Sequence, residues 1–225
     1  MEPLSPKPAL IEQVYDRLVE AIADGTLAPE EAVTQEALAE QFGVSRQPVS
    51  HALALLRRCG LLVERGRRGL QVAPLDPDHI RDLYQVRTAL DGAAAELAAD
   101  RITRAAPDAC AEAQQTVEAG LSALQTADRA ALIAADVAFH DALNRLSGNP
   151  VIVEIAALQW PHFRRAMGAA LRDPGLATRY WQEHEGILAA VLAGDGSTAK
   201  DRAEAHTARA GAETWRRLRD AAKAA

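Results

Sequence analysis

The chain has 225 residues, enough for two domains, and 48% of them are hydrophobic, so each domain can bury a core. Aromatic residues make up only 4%, which points to closely packed, alanine-rich helices. The net charge is −6; no run approaches 18 apolar residues, and the N-terminal stretch MEPLSPKPALIEQ lacks the apolar centre of a signal peptide, so the reading is a cytoplasmic protein that neither spans nor binds a membrane. Cys59 and Cys110 fall in different predicted domains and read as small apolar residues, not as a disulfide.

A first helix is predicted over residues 9–23, with Leu10, Val14, Leu18 and Ile22 on one face. From Thr34 the chain reads TQEALAEQFGVSRQPVSHALALLRRCG, two short amphipathic helices on a glycine turn. Leu38 and Phe42 share a face of the first, which Gly43 ends, because a helix end takes the left-handed conformation that glycine tolerates. Ser45 is placed to cap the second, Pro48 falls in its first turn, and Val49, Ala52, Leu53 and Leu56 form its apolar stripe. The other face carries Arg46, Gln47, Ser50, His51 and Arg57, the layout of a helix-turn-helix whose second helix enters the major groove. Two strands follow, 61–64 and 70–72, joined by a tip holding Arg65, Arg67 and Arg68, a wing suited to phosphates or a minor groove.

A glycine-linked helix pair alone occurs in many all-α proteins. The charge distribution separates the readings. Residues 44–72 hold six arginines against one glutamate, whereas residues 1–43 hold two basic and nine acidic residues, and residues 73–225 hold 17 and 21. An acidic protein thus concentrates positive charge on the segment whose geometry suits DNA, and phosphate neutralisation needs only a local patch.

Asp76 and Pro77 read as the N-cap and first residue of a new helix, so the domain boundary is set there: residues 1–75 for DNA, residues 76–225 for a second function. Six helices are predicted, 78–99, 107–124, 127–147, 150–171, 176–193 and 197–222, with breaks at Pro107, Thr126, Gly148-Asn149-Pro150, Pro174-Gly175 and the Gly194–Ser197 turn. Pro161 is expected to kink the fourth. The fold class is mainly α, a winged helix-turn-helix followed by an antiparallel helical bundle.

Within the bundle, Asp136 and His140 lie four apart on one helical face, His184 lies on the fifth helix and His206 on the sixth. Three imidazoles and a carboxylate suit a divalent transition metal, zinc or nickel first and iron or manganese next. By spacing alone, hydrogen bonding in the core competes with this reading. His51, His79 and His162 read as structural or surface residues, with His162, beside Pro161, near enough to line a cavity.

LAEQFGVSRQPVSHAL with its RGRRG wing, then VRTALDGAAAELAA, FHDALNRLSGNP, EHEGILAAVLAGD and a late AEAH, resemble in order and spacing the GntR family of bacterial transcription regulators, in its FadR-like branch with an FCD effector domain. The resemblance covers almost the whole chain. It implies a dimer that binds double-stranded operator DNA, and a helical domain in which Asp136, His140, His184 and His206 hold a metal that binds the carboxylate of a small effector. It carries DNA contact onto Thr34, Ser45, Arg46, Gln47, Ser50, His51, Arg67, Arg68 and Gly69. Arg87, with Arg164 and Arg165, is assigned to the effector; the competing role for Arg87 is an i, i+4 pair with Asp91. Two departures stand out. Ser50 and His51 replace the family's Arg-Glu, which removes one expected DNA contact, and Asp91 replaces the usual glutamate. Three functions are compatible with these residues: a metabolite-responsive regulator, most of whose relatives are repressors, a metal-dependent enzyme in which Glu183 or Glu185 would have to turn inward as base, and a constitutive DNA-binding protein with a structural metal and no cavity beside it.

Overall fold

The computed structural model describes residues 10–66, 69–102, 107–170 and 174–224, and the chain divides into two compact units, Met1–Leu75 and Asp76–Ala225.

The first unit contains α1 (Leu10–Asp24), β1 (Ala32–Val33), α2 (Gln35–Phe42), α3 (Arg46–Arg58), β2 (Leu62–Glu64) and β3 (Leu70–Val72). α1 buries Val14, Leu18 and Ile22, one residue per turn, in a single core with Leu38, Val49, Ala52, Leu53, Leu56, Leu61, Leu62 and Val72. Thr34 caps α2, its hydroxyl accepting from the Ala37 N–H at 3.2 Å, and Gly43 closes that helix at φ 65°. Ser45 holds the N-cap position of α3 with extended backbone, but its side chain makes no cap bond, contrary to the sequence reading. The cause lies three residues on: the third helical position, whose N–H such a hydroxyl seeks, is Pro48, which has none. Behind the pair lies an antiparallel sheet in the order β1-β3-β2, with Val33 opposite Leu70 and Leu62 opposite Val72. The sequence reading had only the β2–β3 hairpin.

The second unit is all helical: α4 (Pro77–Arg101), α5 (Pro107–Thr126), α6 (Arg129–Ser147), α7 (Pro150–Ala170), α8 (Pro174–Leu192) and α9 (Gly196–Ala224). Asp76 caps α4 by accepting from the Asp78 N–H at 3.0 Å, with Pro77 at the first position. α6 starts two residues later than the sequence suggests, because the capping carboxylate is Asp128, which accepts from the Ala131 N–H. Pro161 lies inside α7 without interrupting it. The main core joins Ala95, Ala98, Ala99, Phe139, Leu143, Ile187, Val191, Ala199 and Ala203. Small residues let these helices approach closely. A β-carbon on Gly211 of α9 would lie 2.7 Å from the Tyr84 Cβ of α4, and one on Gly120 of α5 would lie 2.1 Å from the ring of Trp181 on α8. Among the described residues no helix is long and apolar enough to cross a membrane, and Cys59 and Cys110 are not joined in a disulfide.

Candidate metal centre and nucleic-acid interface

α6 presents Asp136 and His140 one turn apart, α8 presents His184 and α9 presents His206; one donor atom from each lies within 4.8 Å of every other. All four residues are buried, His184 at 0% exposure. The Nε2 atoms of His184 and His206 are 3.0 Å apart, and His184 Nε2 is 3.6 Å from Asp136 Oδ1. Phe139 stacks on the His184 ring at 4.2 Å and Trp181 meets it edge-on at 4.7 Å, so the tight seat of Trp181 over Gly120 bears on the site.

Two further carboxylates orient the imidazoles. Glu183 Oε2 lies 2.8 Å from His206 Nδ1, and Asp91 Oδ2 lies 3.2 Å from His140 Nδ1. Each places the ring proton on Nδ1 and turns the Nε2 lone pair inward, the outer-shell arrangement of metal-bound histidines. His140 Nε2 and Asp136 Oδ2 are buried and have no hydrogen-bond partner among the described residues. Orphaned acceptors in a core are costly unless a cation answers them. Two imidazole nitrogens 3.0 Å apart also match neighbours on one ion at roughly 2.1 Å. Burial, and then the facing His206, His140 and Arg87, push the His184 pKa well below the usual histidine range. Burial lowers that of His206 too, despite the bond from Glu183. Neutral imidazoles are the ligating form. The residues therefore fit a divalent transition metal.

Asp91 is the junction of this network. Its Oδ2 accepts from Thr207 Oγ1 at 2.7 Å and from Arg87 Nε at 3.2 Å as well as from His140. Burial alone would raise its carboxyl, but Arg87, His140 and Thr207 hold it well below the carboxylate range. Arg87 is buried between Trp160 and Phe163, its guanidinium carbon 4.7 Å from each ring centre. The i, i+4 pair is thus formed, and Arg87 also lines a small cavity beside the four donors.

That cavity measures about 20 Å³, roughly the room of one water molecule, and is walled by Tyr84, Arg87, Asp136, Met167, Tyr180, His206, Thr207, Ala210 and Thr214. Tyr180 Oη is buried without a partner, and burial raises its pKa. Arg164 and Arg165 are half-buried on α7 and are not on this wall, and His162, edge-on to the His79 ring, is not either. The sequence reading missed Tyr180 and Thr207 and weighed Glu183 only as a base. Tyr180 stands one turn before His184 and Thr207 follows His206, which was the available signal.

The first unit presents a contrasting surface. Thr34, Ser45, Arg46, Gln47, His51 and Gly69 are exposed and Ser50 is half-buried. Arg46 pairs with Glu36 at 3.0 Å, and Ser50 accepts from Gln35 Nε2 at 3.3 Å, so α2 and α3 are bridged on the face that carries the predicted reading residues. Gly69 takes φ 115°, which suits it to the wing turn. Arg67 and Arg68 lie outside the described residues.

Residues 10–72 match the family described as bacterial regulatory proteins, gntR family, and residues 82–209 match the FCD domain. An uncharacterised HTH-type transcriptional regulator of Bacillus subtilis, YdhC, is 36% identical over 88 residues, 39% of this chain and 39% of that one. A probable D-xylose utilisation operon transcriptional repressor of Paenarthrobacter nicotinovorans is 29% identical over 87% of this chain and 84% of that one. The fold is also that of Escherichia coli McbR/YncC, with a TM-score of 0.81 at 22% identity, covering 94% of this chain and 99% of that chain. The family consists of regulators and not enzymes, which removes the reading of the Asp/His cluster as a metal-dependent enzyme's site. With both segments matched in order and the FCD match alone spanning more than half of its length, the chain belongs to the GntR-type transcriptional regulators that carry an FCD domain.

Proposed function

We propose that the protein is a metabolite-responsive repressor, a cytoplasmic homodimer on operator DNA whose residues 76–225 bind a small organic acid at a metal held by Asp136, His140, His184 and His206. The observation that carries this reading is the set of four buried donors from three helices with two acceptors left unanswered. When bound, the metal supplies an electrophilic position for a carboxylate oxygen. The chain does the rest: Asp91 and Glu183 fix the imidazoles, and Arg87 and Tyr180 border the space an acid enters. A structural metal alone predicts no cavity there; the one present, with room for about one water, is space for a single effector oxygen beside the donors. Because α6, α8 and α9 share the site, an acid that favours one arrangement of them shifts DNA affinity by its differential affinity for the two arrangements, and DNA shifts acid affinity equally.

The name of the Paenarthrobacter relative supports repression. For the dimer, α7 offers an apolar stripe of Val151, Ile155 and Leu158, exposed at 55%, 37% and 64%. A two-fold copy would cover it and match a pseudo-palindromic operator. In the head, the reading gives base edges to Arg46 and Gln47, with Thr34, Ser45, Ser50, His51 and Gly69 nearby and Arg67 and Arg68 on the DNA backbone or in the minor groove. The experiment is elemental analysis of protein purified without chelator, followed by operator binding before and after chelation. Stoichiometric metal, and DNA binding that survives chelation while the response to organic acids is lost, is the expected outcome. Protein without stoichiometric transition metal overturns the reading.

A further inference from the structure

The cavity wall says which acid the site accepts. Among its described residues, two carry a formal charge, Arg87 and Asp136. Arg87 is already answered: its Nε meets Asp91 Oδ2 at 3.2 Å, and both side chains are buried. Asp136 is one of the four metal donors. With a divalent ion in place, the site keeps one unit of positive charge, which a single carboxylate neutralises. A second carboxylate on the same molecule would be buried with no cation of its own opposite it, the situation in which desolvation exceeds what the surroundings return. The remaining wall is the rings of Tyr84 and Tyr180, Met167, Ala210 and the hydroxyls of Thr207 and Thr214. The Thr207 hydroxyl is spent on Asp91. The Tyr180 hydroxyl is not: it is buried and has no hydrogen-bond partner among the described residues, with its ring edge-on to His206 at 5.5 Å. A buried phenol in that state discriminates strongly for a molecule that brings it an oxygen and against one that leaves it unpaired.

We infer that the effector is a small monocarboxylate carrying one further hydroxyl or carbonyl oxygen, that Tyr180 Oη reads this oxygen, and that the Arg87–Asp91 pair is the reason a dicarboxylate is refused. The inference rests on the metal-and-carboxylate reading above and adds the class of acid. The cavity of about 20 Å³ sets the scale as well, since each added carbon must displace wall atoms, with Met167 the most adaptable of them.

Three four-carbon acids separate the contributions: butyrate, 2-hydroxybutyrate, which adds the hydroxyl, and malate, which adds a second carboxylate to the hydroxy acid. Each is titrated by calorimetry into the zinc-loaded full chain, with zinc content measured in parallel. The expected result is 2-hydroxybutyrate at least tenfold tighter than both butyrate and malate. Tyr180→Phe should bring 2-hydroxybutyrate down to the level of butyrate while zinc content holds. Asp91→Asn, which frees the Arg87 charge, should narrow the gap to malate, and Tyr180→Phe keeps the test decisive if that variant does not fold. Malate binding as tightly as 2-hydroxybutyrate, or Tyr180→Phe keeping the preference for the hydroxy acid, overturns the inference while zinc-dependent binding of all three acids leaves the metal-and-carboxylate reading standing. Absence of both zinc and acid binding overturns both.

Discussion

The winged head and the helical bundle use polar residues in opposite ways. In the head, Arg46, Gln47 and His51 stand in water, and Arg46 has a partner in Glu36 that a phosphate or base can replace at little cost, since an exposed pair stabilises the head by no more than about 1 kcal/mol. In the bundle, His140, His184, His206 and Asp136 are buried, and His140 Nε2 and Asp136 Oδ2 have no hydrogen-bond partner among the described residues. A surface for a polyanion can keep its groups solvated until the partner arrives. A site for an ion must be desolvated beforehand, so its unanswered atoms are visible in the structure. The lesson is that buried, unsatisfied groups locate a small-ligand site, whereas a DNA-reading surface shows itself by charge and helix placement.

Three substitutions test that contrast, from the largest effect to the smallest. His206→Ala removes a donor from α9 and leaves Glu183 without its imidazole. Metal affinity should fall by roughly a hundredfold or more, and the bundle should melt at lower temperature while operator binding persists. Unchanged metal content by elemental analysis would reduce the four residues to packing. Arg46→Ala should cost roughly 1–3 kcal/mol in operator affinity and relax base preference, with metal content unaltered. Normal binding of the variant in an anisotropy titration would remove α3 from the reading role. The smallest effect lies within the head. Thr34→Ala loses a formed cap bond and should destabilise the head by about 0.5–2 kcal/mol. Ser45→Ala loses none and should be close to neutral in chemical denaturation. Equal losses would contradict the explanation through Pro48.

Much of this was legible in the sequence because the signals are local. Gly43, Gly148 and the Asp76-Pro77 pair mark helix ends by their own chemistry, and the i, i+4 spacings of Asp136 with His140 and of Arg87 with Asp91 survive folding unchanged. What was missed depends on distant pairing. β1 is two residues long and exists because Val33 meets Leu70. Ser45 looks like a cap in isolation, and only the register of Pro48 cancels it. Glu183 reads from the sequence only as a candidate base, and its role as the partner of an imidazole emerges once His206, 23 positions later, is placed against it. Arg164 and Arg165 followed from resemblance, with no periodicity to tell which side of α7 meets the cavity.

The narrowness of the cavity has a kinetic consequence. On the proposed reading, with every wall residue but the half-buried Ala210 buried and room for about one water, an acid larger than that room would reach the metal only as the helices part. Association should then be slower than the roughly 10⁵–10⁷ per molar per second of an open docking surface and set by how often the helices part. Release obeys the same gate. A regulator that answers the proposed acid in this way would average it over the opening time, so that brief pulses would pass unregistered and sustained levels would reach the promoter.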